Sequence, residues 1–209
     1  MTTFYVFGES QNDTNALAEL IRARAEKQKK HANVVVLRVP LIQQKSATPS
    51  KRKTNAERVE ATVMARLKLK KAEAPVVIVA HEDCDDVEPA HTRVAEKITI
   101  GLKNLNFPII AAAPAFEMEA WWYLWPEAVA AVCGSWKPLQ RANSSVGMIQ
   151  NAKESLIKDL QVPGKNVRKY NESDAPSIAK KVRSLCIIDI QNAKSESFDE
   201  FDKKVCQNL

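Results

Sequence analysis

The chain has 209 residues, of which 45% are hydrophobic and 27% charged; these are ordinary globular proportions that exclude a disordered polymer, and five glycines exclude a fibrous repeat. Lys and Arg number 31 against 25 Asp and Glu, and the net charge of +6 permits a polyanionic partner without requiring one. The length suits one buried core with an appendage.

Met1-Thr2-Thr3-Phe4-Tyr5-Val6-Phe7 has no basic start and no long apolar run, and no stretch is apolar enough to cross a bilayer, so the chain reads as soluble and cytoplasmic with no membrane partner. Cys84, Cys133, Cys186 and Cys206 are dispersed without a Cys-x-x-Cys pair, which points to reduced thiols. Thr3 to Phe7 reads as a strand closed by Gly8-Glu9-Ser10, and Asp13 is placed to cap a helix with Leu17, Leu20 and Ile21 on its core face. Asn33 to Pro40, with Val34-Val35-Val36-Leu37, predicts a second strand, parallel to the first and covered on both faces. Gln43 to Thr54 is a polar, basic loop. Thr54-Asn55-Ala56-Glu57 then reads as a capping box opening a helix with Val59, Val63 and Leu67 on one side.

Pro75-Val76-Val77-Ile78-Val79-Ala80 is the clearest buried strand and runs into His81-Glu82-Asp83-Cys84-Asp85-Asp86. Pro89 suits the first turn of a helix presenting Val94, Ile98, Leu102 and Leu105, and Pro108 to Ala112 makes a fourth strand. Strand and helix thus alternate, which predicts an α/β, Rossmann-like parallel sheet of about four strands flanked by helices. Beyond it the pattern turns helical: a short helix broken by Pro126, another from Pro126 to Gly134, then Val146 to Leu160, Pro176 to Leu185, and a tail helix with Phe198, Phe201 and Val205 on one face. The expected organisation is an α/β core over residues 1–134 and an α-helical C-terminal extension over 135–209, packed on the core.

Ligands of parallel α/β sheets sit at the carboxyl ends of the strands, and three predicted strands end in acid: Glu9, then Asp83, Asp85 and Asp86, then Glu117 and Glu119. Carboxylates crowded together either hold their protons or share a cation, and an oxygen-rich donor set favours Mg²⁺ or Mn²⁺. Any one of these acids could equally be a helix cap or a solvated turn residue, and the convergence of the three clusters carries the metal reading. Glu117 and Glu119 share a face only on a strand, so both serve the site only if the strand continues through them. His81, Cys84 and His91 are a rival zinc set, at a spacing unlike the usual zinc motifs. Trp121-Trp122-Tyr123-Leu124-Trp125 reads as core or a packing seam, with base stacking as its other use.

These motifs support a resemblance. A strand followed by Gly-Glu and a later strand ending in an Asp-x-Asp-like turn resembles the Toprim domain of topoisomerases, primases and several nucleases. Phe7-Gly8-Glu9-Ser10, Ile78-Val79-Ala80-His81-Glu82-Asp83-Cys84-Asp85-Asp86 and Phe116-Glu117-Met118-Glu119-Ala120-Trp121 are similar to a Toprim-like bacterial family whose genes often neighbour ABC-type ATPases of phage defence. Tyr170-Asn171 to Ala175-Pro176 and Ser195 to Phe201 resemble its C-terminal part. The resemblance implies Glu9 as the Toprim glutamate and Asp83 as an acid of the Asp-x-Asp pair. One alignment puts His81 at the first position of that pair, giving His-x-Asp. The other gives Asp83-x-Asp85, and it is favoured here, with Asp86 outside and His81 as a modifier.

On that basis Glu9, Asp83 and Asp85 are the expected catalytic residues, and Glu9, Asp83, Asp85, Glu117 and Glu119 the expected metal ligands. A divalent ion neutralises the charge that a phosphodiester gathers as it reacts, and Glu9 would be acid/base or ligand. Tyr5 lies inside a strand and Tyr170 in the extension, so hydrolysis is expected over strand transfer. Lys45, Lys51, Arg52 and Lys53 are the expected phosphate contacts, whereas Arg22, Arg24, Lys27, Lys29 and Lys30 read as a solvated helix end. The expected function is a Mg²⁺-dependent nuclease or phosphodiesterase that binds DNA or RNA, and the resemblance implies an effector role beside an ABC-type ATPase partner in phage defence. The alternative is a catalytically silent adaptor. A nucleotide-binding enzyme ranks last, because Gly8-Glu9-Ser10-Gln11-Asn12-Asp13 offers no glycine-rich phosphate cradle.

Overall fold

The computed structural model describes residues 1–40, 60–65, 75–140, 144–191 and 193–209, and within them the β-branched runs form one parallel sheet. Its strands are β1 (Thr2–Gly8), β2 (Ala32–Pro40), β3 (Val76–His81) and β4 (Ile109–Ala112), in the order β2-β1-β3-β4. The helices are α1 (Gln11–Lys27), α2 (His91–Gly101), α3 (Glu119–Trp122), α4 (Pro126–Ala130), α5 (Ala152–Asp159), α6 (Ala175–Ser184) and α7 (Glu196–Asn208). The fold is α/β and Rossmann-like. No helix of the described residues is long and apolar enough to cross a membrane.

Strand alternation divides the core in two. Phe4, Val6, Val77, Val79 and Ile110 face α1, α6 and α7, meeting Leu17, Leu20, Ile178, Val182 and Phe198. Tyr5, Phe7, Ile78 and Ala80 face the other way, against Ala95, Ile98 and Leu102 of the α2 segment and Val63 from the helical residues 60–65. Central strands β1 and β3 are buried throughout. β2 is an edge strand and is covered on both faces as expected: Val34 is buried in the first cluster and Leu37 in the second, with Val36 and Val35 packed half-buried against the same two.

Several boundaries move for local reasons. Ser10, not Asp13, caps α1: its backbone is extended and its Oγ accepts from the Asn12 and Asp13 N–H groups at 3.1 and 3.3 Å. Pro89 precedes α2, which starts at His91. α4 ends at Ala130, short of Gly134. The helix expected from Val146 to Leu160 is split into a 3-10 turn at Val146–Met148 and α5, because Asn151 takes a left-handed conformation with φ 47°. The basic loop with Lys45, Lys51, Arg52 and Lys53, and the capping box Thr54 to Glu57, lie outside the described residues.

The tryptophan-rich segment is core. Trp121, Trp122 and Trp125 are buried to within 1% of complete. Phe198 stands edge-on to both Trp121 and Trp125, with ring centroids 5.2 and 4.9 Å apart, which locks α7 against α3 and the turn after it. Base stacking by these rings is therefore excluded. Arg24, expected to be solvated, instead bridges α1 to the C-terminal part, donating to Asp202 and Asp189 at 2.7 Å each.

Candidate metal centre

Three parallel neighbours deliver their carboxyl ends to one edge of the sheet. β1 presents Glu9 there and β3 presents Asp83, whose backbone N–H donates to Glu9 Oε2 at 3.4 Å. Between the strands, Gly8 pairs with His81. A Cβ on Gly8 would stand 2.7 Å from the His81 Cβ, so only glycine lets the imidazole enter at this register. α1 begins at once after β1, and the Ser10 cap sets Asp13 one turn beyond Glu9, over the same edge. Ligand atoms of Asp13, His81 and Asp83 all lie within 4.8 Å of one another.

After β4 the chain leaves the strand at Ala112, so Glu117 and Glu119 are not on a strand; Phe116, left-handed at φ 58°, and the start of α3 redirect them. Both acids nevertheless act electrostatically on the group. The Glu117 carboxyl is raised first by burial and then, against a hydrogen bond from the Lys153 N–H at 3.1 Å, by Asp83. Glu119 is pushed up to about 8, mainly by burial, with Asp13, Asp83 and Glu117 adding to it. Burial also raises Glu9 and Asp13, and the Asp83 charge adds to each. His81 is fully buried, which disfavours its cation, yet Asp83, Asp13 and Glu9 outweigh burial and push it up to about 9. Its Nε2 lies 3.2 Å from Asp83 Oδ1. That contact is an ion pair without hydrogen-bond alignment: both ring nitrogens of His81 and Oδ1 of Asp83 are buried with no hydrogen-bond partner.

Of the expected ligands, Glu9, Asp83, Glu117 and Glu119 gather at this edge. Asp85 is exposed, left-handed at φ 54°, and lies outside the close group. His81 sits inside it. Asp13 belongs to it too, and the signal in the sequence was its place one helical turn after Glu9, read there as a cap. Tyr170, assigned to the extension and set aside, donates its hydroxyl to Glu119 Oε1 at 3.1 Å, and burial with the Glu119 charge keeps the phenol protonated. No local pattern announces a contact across 51 positions. Lys153, at the start of α5 and ion-paired with Glu172, supplies a cation at the rim beside Glu117.

The rival zinc set is not assembled. His91 faces Glu200 of α7 at 3.6 Å, and the close ligand group found among the described residues contains neither Cys84 nor His91. Glu82 points to the opposite face of β3 from His81 and Asp83, where Lys97 donates to it at 2.6 Å. A cavity of about 430 Å³, lined by residues including Tyr123, Trp125, Leu139 and Ile187, shares no residue with the acidic group. Comparison with protein families, curated proteins and solved structures returns no match to this chain.

Proposed function

We propose that the chain is a Toprim-like nuclease or phosphodiesterase that uses Mg²⁺ or Mn²⁺ to hydrolyse nucleic acid. The observation that supports this most is the meeting of Glu9 and Asp83, from adjacent parallel strands, with Asp13, Glu117 and Glu119 around them. These acids are raised first by burial and then by one another's charge, and a bound cation relieves both. The ion, when bound, neutralises charge on the reacting phosphodiester and lowers the pKa of its water. Glu9, half-buried with a raised pKa, holds or takes a proton at its carboxylate during attack on phosphorus. Lys153 meets phosphate at the rim, and Lys45, Lys51, Arg52 and Lys53, outside the described residues, are the further phosphate contacts that the sequence suggests. Tyr170, held protonated, orients Glu119 and takes no part as a nucleophile. An ABC-type ATPase in phage defence is the proposed partner.

The second reading, a silent adaptor, is favoured by His81, whose imidazolium places one positive charge among the acids without any ion. Its docking surface would have to lie elsewhere than on the tryptophans, which are buried. The test is cleavage of a panel of labelled DNA and RNA with Mg²⁺ or Mn²⁺, with and without an ABC-type ATPase of the proposed kind. Wild type is expected to cleave, and Glu9→Gln to lose at least about 100-fold in rate with nucleic-acid affinity retained. Equal behaviour of the two proteins in every condition would establish the adaptor instead.

A further inference from the structure

We infer that the ion at this edge is held by Asp13, His81 and Asp83, and that the imidazole makes the site one for a first-row transition ion in preference to Mg²⁺. The inference deepens the proposed function and rests on its metal-dependent site, but it concerns binding rather than cleavage.

Geometry carries it. Donor atoms bound at about 2.0–2.2 Å to one ion in an octahedral arrangement lie about 3 Å apart when adjacent and about 4 Å when opposite. The three side chains here offer donor atoms all within 4.8 Å of one another, and His81 Nε2 stands 3.2 Å from Asp83 Oδ1, the separation of neighbouring ligands. The second observation is the unmet bonding capacity. His81 is 0% exposed, and neither ring nitrogen nor the Asp83 Oδ1 beside it has a hydrogen-bond partner. The ring meets Asp83 at 3.2 Å without an aligned hydrogen bond, and an ion that takes the ring nitrogen in place of its proton, which leaves to solvent, satisfies both groups. Asp83 is partly open to solvent on its outer side, which leaves positions for water and substrate oxygen.

Donor chemistry sets the selectivity. Mg²⁺ takes carboxylates and water and avoids imidazole, whereas affinity for nitrogen donors rises through the first-row series from Mn²⁺. Glu9, adjacent through the Asp83 N–H, and Glu119, adjacent through charge, then stand outside the ligand set, free for the proton and positioning roles assigned above.

Pulsed EPR of the purified full chain with one equivalent of Mn²⁺ and no nucleic acid tests this. The expected result is hyperfine coupling to an imidazole nitrogen, with Mn²⁺ held at least about tenfold tighter than Mg²⁺ in competition. His81→Ala should lose the coupling and at least about tenfold in Mn²⁺ affinity while its Mg²⁺ affinity changes by less than about threefold. Bound Mn²⁺ without nitrogen coupling in the wild type overturns the inference, whether or not His81→Ala folds. If cleavage occurs while the coupling is absent, only this ligand assignment fails. If the coupling is present and no nucleic acid is cleaved under any condition, the assignment stands and the proposed function fails.

Discussion

Glu119 and His81 hold protons at this site for different reasons, and both make stability depend on pH in the same direction. Glu119 binds its proton up to about 8 in the fold against an ordinary 4.5, so its contribution is complete below 4.5 and is lost as pH rises through about 8. His81, raised from 6.5 to about 9, contributes fully below 6.5 and loses that contribution as pH rises through about 9. The ion-free chain should therefore lose stability on going from mildly acidic to alkaline buffer. Glu119→Gln keeps the shape and removes the ionisable group, and it should be more stable than wild type above pH 8 by on the order of 5 kcal/mol. Urea unfolding in EDTA at a series of pH values measures this. Superimposable curves for the two proteins would mean that Glu119 does not carry the raised proton affinity. At this scale the sequence shows which residues can do acid chemistry, because Asp and Glu at strand ends are visible as a pattern. It does not show that Asp13 joins them, since a carboxylate near the start of a helix has an equally good reading as a cap.

At the scale of elements, the N-terminus of α7 is held by a polar cluster as well as by Phe198. Ser195 Oγ accepts from the Phe198 N–H at 3.3 Å and donates to Glu88 Oε1 at 2.8 Å, while the Ser197 N–H donates to the same oxygen at 2.8 Å. Gly147 makes room for that carboxylate, since a Cβ there would come within 1.9 Å of the Glu88 Cδ. Ser195→Ala removes a cap and leaves a buried carboxylate short of a donor, and should cost about 1–3 kcal/mol in urea unfolding. A change below about 0.5 kcal/mol would show that the aromatic contacts alone seat the helix. The tail helix itself was legible from the spacing of Phe198, Phe201 and Val205, all of which are buried. The break at Asn151 was not, because a left-handed residue is chosen by the packing around it rather than by a local propensity.

For the whole molecule, alternating strands and helices were enough to read a parallel α/β sheet, since few connections are compatible with that pattern. Strand order was not readable: nothing local says that β1 lies between β2 and β3, or that β2 takes the edge and leaves Val35 and Val36 half-covered. Yet that order is what puts Glu9 beside Asp83 and brings Gly8 opposite His81. The C-terminal helices share a continuous core with the sheet, from Leu17 and Ile178 through Trp121 to Phe198, and this core returns Tyr170 to Glu119.

Whether the carboxyl edge of this sheet is a metal centre is decided by diffraction at the manganese absorption edge from crystals grown with Mn²⁺. An anomalous peak is expected within bonding distance of Asp83, with Asp13 and His81 around it and Glu9 alongside, and it should disappear in Asp83→Asn. A fully occupied ion elsewhere with none at this edge, or a peak that survives Asp83→Asn unchanged, would contradict the metal centre.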